Sequence, residues 1–276
     1  MLKLAIRTLA CALVASLALL HTGAARAQTP APLVADAGDD VLIECASSTG
    51  TPVTLDGTGS SVGTDITYLW TATGVTFDDP TILTPTGDFP VGTTTVTLMV
   101  IQTDPTNLAI ILATAIDTVD VTVQDTTPPV ILTEADQTSL WPPNHKLHKV
   151  NVGISVIDAC DPDPIVILDS ITSNEPDNSI GDGNTTDDIQ DAEVGTDDRM
   201  FLLRAERQGP CTGRVYTAIY EAMDASGNTS VGSVQVSVPH DQGKGKKKGQ
   251  GKACGNTPPG LGDSSGDLKP GKGPKK

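Results

Sequence analysis

The chain has 276 residues and a formal net charge of −16, with 38% hydrophobic but only 3% aromatic residues. That length accommodates one or two domains of ordinary size. So acidic a balance repels a phosphate backbone, which excludes nucleic acid as an expected partner and favours divalent cations or basic partners.

The first 27 residues read as a secretory signal. Lys3 and Arg7 precede an apolar run from Leu9 to Leu20, and Ala25-Arg26-Ala27 supplies a small-x-small cleavage pattern. The run falls short of the roughly 18–20 residues that span a bilayer, so the expectation is export to the extracellular space or cell surface without a transmembrane anchor. Lipidation at Cys11 is disfavoured by the poor match of Thr8 and Leu9. Cleavage before Gln28 removes Lys3, Arg7 and Arg26 and takes the formal charge from −16 to −19. The remainder is uneven: residues 28–239 hold 31 acidic against 6 basic side chains, and residues 240–276 hold 3 against 9.

Residues 31–125 carry short apolar alternations between Gly, Pro, Asp and Asn turns, a strand pattern. Ile66, Tyr68 and Trp70 share one face of a strand, and Val96, Leu98 and Val100 share a face of another. Threonine fills the outward positions of Val96-Thr97-Leu98 and Val121-Thr122-Val123, as suits an exposed strand face. No amphipathic helix is expected, and about 90 residues of short strands around one Trp predict a two-layer sandwich. Ala37-Gly38-Asp39-Asp40, the segment Val53 to Ser60, Tyr68-Leu69-Trp70, Phe89-Pro90-Val91-Gly92-Thr93 and Val96-Thr97-Leu98 resemble, as an ordered set, the PKD domain, an immunoglobulin-like module. Ser61-Val62-Gly63-Thr64-Asp65 and Trp70-Thr71-Ala72-Thr73-Gly74 stand where that pattern has a DPDG-like turn and a WDFGDG-like segment. The resemblance implies a spacer, an adhesion module or a substrate-presenting module without catalysis.

Asp125-Thr126-Thr127-Pro128-Pro129 interrupts the strands, because two prolines withhold two N–H donors and fix the backbone in extended form. A second module is expected over residues 126–240. Val152, Ile154 and Val156 alternate, as do Tyr216, Ala218, Tyr220 and Ala222, and the run Val231 to Val238 closes the module. The opening Asp125 to Pro129 and the turn Asp224-Ala225-Ser226-Gly227-Asn228-Thr229 resemble HYR-like and related bacterial immunoglobulin-like repeats. Leu140-Trp141-Pro142-Pro143-Asn144-His145-Lys146 resembles a segment recurring in secreted bacterial proteins, whose Trp would pack over a sandwich edge as a plug.

The densest acidic stretch lies inside this module. Asp158, Asp161 and Asp163 are followed by Glu175, Asp177, Asp182, Asn184, Asp187, Asp188, Asp191, Glu193, Asp197 and Asp198. Calcium takes six to eight oxygen ligands, and short carboxylates and amides in Gly-containing loops supply them. The candidate metal ligands are Asp158, Asp161, Asp163, Asp182, Asn184, Asp187 and Asp188, although the order of an EF-hand loop is missing. The alternative is a solvated, mobile insertion whose charge keeps sheet edges apart. Four cysteines follow the signal, and export permits disulfides. Cys160 and Cys211 share a module, 51 positions apart, and are the expected pair; Cys45 and Cys254 then either pair or stay free.

His145 and His148 are too few for zinc without further ligands such as Cys160 or Asp241. Asn144 and His240-Asp241 offer acid/base groups, but no nucleophile motif accompanies them, so an enzyme is not expected. Residues 241–276, rich in Gly, Lys and Pro, predict a disordered basic tail able to touch an anionic surface. The expected fold class is all-β: two tandem immunoglobulin-like β-sandwiches with that tail. The expected function is a non-catalytic secreted or cell-surface module pair used in adhesion, matrix contact or spacing, with a cell-envelope, matrix-polymer or protein partner. The alternative is a calcium- or carbohydrate-binding accessory protein.

Overall fold

Thirteen strands make up the computed structural model, which describes residues 31–178, 182–209 and 212–240. Among these residues there is no α-helix, and none long and apolar enough to cross a membrane. The expected signal segment, Cys211, Cys254 and the tail from residue 241 lie outside the described residues. The fold is all-β, built as two immunoglobulin-like sandwiches with separate apolar cores.

The first sandwich contains β1 (Val41–Glu44), β2 (Thr51–Thr54), β3 (Ile66–Ala72), β4 (Thr86–Phe89), β5 (Gly92–Asp104) and β6 (Asn107–Gln124). One sheet has the order β1-β6-β5-β3 and the other pairs β2 with β4. β1 runs parallel to the end of β6, with Val41 opposite Val121 and Glu44 opposite Gln124. The period of two read from the sequence sorts the side chains as expected: Trp70, Val96, Leu98, Val100, Val119, Val121 and Val123 are buried, and Ile66 and Tyr68 pack against them. Burying the indole requires a partner for its N–H. Trp70 Nε1 donates to the Ile82 carbonyl at 2.9 Å. Gly57 admits the ring edge, since a Cβ there would stand 2.8 Å from Trp70 Cζ2.

The second sandwich contains β7 (Val130–Ala135), β8 (Leu147–Ile157), β9 (Ile165–Ser173), β10 (Ile189–Gln190), β11 (Met200–Arg204), β12 (Gly213–Met223) and β13 (Thr229–Pro239). Its sheets have the orders β10-β11-β8-β7 and β13-β12-β9. Tyr216, Ala218, Tyr220 and Ala222 face inward along β12, against Val234, Val236 and Val238 of β13. Asp224 organises the turn between these strands: its carboxylate accepts the N–H groups of Ser226 and Asn228. The plug expected of Trp141 is supplied by its neighbour. Leu140 is buried, because its N–H donates to the Ser237 carbonyl and turns its side chain into the core, whereas Trp141 stays 40% exposed.

β6 ends at Gln124 and β7 begins at Val130, with no regular structure between. Around this connection the two sandwiches are tied covalently by a disulfide between Cys45 and Cys160, with a Cα–Cα distance of 6.2 Å and a sequence separation of 115. The expected Cys160–Cys211 pairing is therefore corrected, as is the expectation that Cys45 pairs with Cys254 or stays free. The physical reason lies in β1, whose parallel pairing sets Glu44 opposite Gln124 and so leaves Cys45 beside the connection. Cys160 lies just past the end of β8, close to the same connection, since Ile157 pairs with Val130. The Ser48 N–H donates to the Ala159 carbonyl at 2.8 Å, and Asn228 Nδ2 to the Asp125 carbonyl at 3.0 Å.

Candidate functional site

The acidic residues singled out in the sequence separate into two groups. Asp158, Asp161 and Asp163 sit at the junction of the sandwiches, where Asp158 and Asp161 act as turn acceptors. Asp158 Oδ1 takes the N–H groups of Cys160 and Asp161, each at 2.8 Å, and Asp161 takes those of Asp163 and Ala225. Among the described residues, Asp125, Asp158 and Cys160 are the group of three metal-capable side chains whose ligand atoms lie within 4.8 Å of one another. The Cys160 sulfur is already bonded to Cys45, so this group offers two carboxylates and no thiolate. Two carboxylates fall well short of the ligand number of calcium.

The second group is built around Arg214. Strand β12 alternates inward and outward, and Arg214 has the same parity as Tyr216, Ala218 and Tyr220, so the strand carries its guanidinium into the interior. Four buried carboxylates converge there: Glu175, Asp182, Asp188 and Glu206. Arg214 Nη1 pairs with Asp188 Oδ2, Nε lies 3.6 Å from Glu175 Oε2, and Nη2 lies 3.8 Å from Asp182 Oδ2 and 3.9 Å from Glu206 Oε1. Beneath the guanidinium is the Tyr216 ring, at 5.6 Å. Arg204, on β11, completes the attachment. Its Nε donates to Asp188 at 3.2 Å, and its Nη2 to the carbonyls of Thr186 and Asp187 at 2.8 and 3.2 Å. Two arginines from the sandwich thus hold the acidic loop down by its charges and its backbone.

The histidine of the Trp-Pro-Pro-Asn-His segment enters the same cluster. His145, with φ of 63°, places Nδ1 3.0 Å from Glu206 Oε2, and that oxygen also accepts the Thr185 hydroxyl. Gly183 lies against the imidazole so closely that a Cβ would stand 2.6 Å from Cε1, which reserves that position for glycine at its φ of 100°. Asn184 is exposed beside it, its N–H 3.4 Å from Asp182 Oδ1, and Asp187 is exposed with its N–H on the Asp177 carboxylate. The loop therefore departs from the solvated insertion expected as the alternative to a metal site, because Glu175, Asp182 and Asp188 are sealed from water.

The charges do not balance. The buried carboxylates Glu175, Asp182, Asp188 and Glu206 stand against Arg204, Arg207 and Arg214, an excess of one negative charge when these seven are ionised, with His145 beside Glu206 at the rim. Glu175 Oε1 and Glu206 Oε1 accept no hydrogen bond among the described residues. Ionised carboxylates left in a dry interior take up protons or a cation. Burial raises the Asp188 carboxyl to about 7, the hydrogen bond with Glu206 adds to this, and Arg214 opposes it. Burial likewise raises Glu175, against the Gln208 N–H and the charge of Arg214. A cavity of about 420 Å³ adjoins the cluster, with Glu175, Asp177, Asp187, Asp188 and Arg214 in its wall. His148, the second member of the His pair, lies on β8 and does not join a group of three ligands among the described residues.

No family model matches the chain, and no curated protein matches it. Among solved structures it is similar to the PKD domain from KIAA 1837 protein, at 28% identity over 37% of this chain and 96% of that one, with a TM-score of 0.28. It is also similar to fibronectin(III)-like modules of CbhA from Clostridium thermocellum, at 11% identity over 75% and 94% of the two chains, with a TM-score of 0.25. A third is SGBP-B of the mixed-linkage glucan utilization locus of Bacteroides ovatus, in complex with a mixed-linkage heptasaccharide. That likeness has 14% identity, covers 73% of this chain and 43% of the other, and has a TM-score of 0.23.

Proposed function

We propose that this chain is a secreted or cell-surface, non-catalytic pair of PKD-like and HYR-like modules that serves as a stiff spacer in adhesion or matrix contact. The observation that carries the reading is the Cys45–Cys160 bond, which ties the sandwiches together across a connection of only five residues. Such a bond persists in an oxidising compartment, in keeping with the signal-like start of the sequence. Small-angle X-ray scattering of the mature chain tests the reading. The oxidised protein is expected to give one narrow distance distribution, and the Cys45→Ser/Cys160→Ser variant a broader one. Equally broad distributions for both would sink the stiff-spacer account.

A second reading, a calcium-binding accessory role, is favoured by the excess of negative charge around Arg214 and by the Glu175 and Glu206 oxygens that accept no hydrogen bond among the described residues. A divalent cation would neutralise that excess. Isothermal titration of chelator-treated protein is expected to saturate at a defined stoichiometry with calcium and to raise the melting temperature. Heat that never saturates, or equals that of magnesium and vanishes with added salt, would leave only diffuse attraction.

A further inference from the structure

The pairing of β5 with β6 runs further than the sandwich that supports it. β3 covers β5 from Val96 to Gln102, and β1 covers β6 from Val121 to Gln124, whereas β5 and β6 stay paired out to Asp104 and Asn107. The far end is a two-stranded arm. Every residue from Asn107 to Leu112 is exposed, and Leu108, Ile110, Ile111, Leu112 and Ile116 are each 47–67% open to solvent. Monomeric proteins rarely leave so dense an apolar patch wet, and an isolated two-stranded hairpin is marginal in water. The outer edge of β6 between Asn107 and Ile116 pairs with no strand among the described residues. It also lacks the usual protections of an edge, since Thr106 to Ile116 contains neither an ionisable side chain nor a proline.

We infer that this arm is a self-association surface, on which the β6 edge of one copy lies antiparallel beside the β6 edge of a second. The charge distribution selects that occupant. A basic partner would be drawn to the acidic faces of the sandwiches and would find nothing to pair with along an uncharged edge. The complement of an uncharged aliphatic edge is another such edge, and this one is complementary to itself. In a two-fold antiparallel arrangement no register of residues 107–116 sets like charges opposite each other. Projection matters as well, because both bodies are strongly acidic. The six residues from Asn107 to Leu112, which lie past the Gln102–Ala113 pair where the cover by β3 ends, extend about 20 Å, more than twice the Debye length of about 8 Å at physiological salt. Arms that overlap can therefore join two copies while their bodies stay apart.

Sedimentation velocity and light scattering on the mature chain test the inference. The protein is expected to dimerise at tens of micromolar, with the dimer fraction rising as sodium chloride screens the acidic bodies. The variant Ile110→Lys/Leu112→Lys is expected to raise the dimer dissociation constant at least tenfold with an unchanged melting temperature, since both positions are solvated in the monomer. Mixing it with Ile110→Glu/Leu112→Glu is expected to restore a dimer containing one copy of each, which also guards against a variant that merely folds poorly. A wild type that stays monomeric at all concentrations and salts overturns the inference. So does a dimer that survives the lysine variant unchanged, or a monomer that instead partitions onto neutral phosphatidylcholine vesicles, which would assign the arm to a lipid surface.

Discussion

Replacing Asp188 with asparagine isolates the proton that the buried cluster is expected to hold. Asp188 sits between Arg204 and Arg214, in hydrogen-bonding contact with Glu206, and its carboxyl is raised from 3.8 to about 7, chiefly by burial. Between these two values the native state keeps a proton that the unfolded chain has released, so stability falls as pH rises. The contribution is fully present below about pH 4 and is lost by the time pH passes 7. A tenfold difference in proton affinity between the two states corresponds to about 1.4 kcal/mol, so raising pH from 5 to 8 is expected to remove about 2–3 kcal/mol through this group. The measurement is urea denaturation at both pH values in the presence of a chelator, for the wild type and Asp188→Asn. Groups that titrate identically in both proteins cancel in the comparison. The wild type is expected to lose about 2–3 kcal/mol more than the variant over that interval. Equal losses would refute the reasoning and place the shared proton elsewhere. If calcium supplies the missing positive charge, adding it is expected to stabilise the wild type more at pH 8 than at pH 5.

Non-reducing peptide mapping is expected to recover Cys45 and Cys160 in one linked species; recovery of Cys160 linked to Cys211 would overturn the pairing seen in the structure. Gly57→Ala is expected to cost about 1–3 kcal/mol by overpacking, because the added methyl would meet Trp70 and the Leu83 carbonyl, and thermal denaturation with Trp fluorescence reads the loss. Arg214→Met is expected to be among the most damaging substitutions in the second sandwich, on the order of 3–5 kcal/mol, since it strands buried carboxylates; a melting temperature within a degree or two of the wild type would show that the cluster carries no net charge to strand. Intact mass spectrometry of exported protein is expected to show a start at Gln28, and a lipid mass on Cys11 would overturn that.

Much of the fold was legible because both sandwiches obey one rule, the alternation of inward and outward side chains along a strand. Ile66 to Trp70, Val96 to Val100 and Tyr216 to Ala222 all follow it, and their burial matches. The disulfide was not legible by the same means. Pairing by module and separation favours Cys160 with Cys211, whereas the decisive fact is the parallel alignment of β1 with the end of β6, which carries Cys45 to the connection. Parallel neighbours leave no hairpin signature in a sequence, because no short turn joins them. Trp141 misleads for a related reason: its place before two prolines marks it as the plug, but the backbone bridge at Ser139 and Ser237 turns Leu140 inward instead.

The candidate site shows where counting acids stops being informative. A run of carboxylates looks the same whether it is solvated or buried, so the stretch from Asp158 to Asp198 reads as one group although Asp158 and Asp161 lie at the junction, Asp182 and Asp188 at Arg214, and Asp197 and Asp198 in the turn before β11. What separates them is the position of the few bases. Residues 28–239 contain only six, and Arg214 falls on the inward parity of β12, directly before Tyr216, Ala218 and Tyr220. An arginine on the core face of a strand must bring carboxylates with it. Its parity on β12 says that carboxylates go inward with it, and the fold selects Glu175, Asp182, Asp188 and Glu206 as those partners. Arg204, between the buried Leu203 and Ala205, marks the other wall of the cluster, from which it holds the loop by its carbonyls. The loop is thus fixed by arginine from below, and the negative charge that the arginines leave unmatched is what a proton on Asp188, or a cation in its place, would answer.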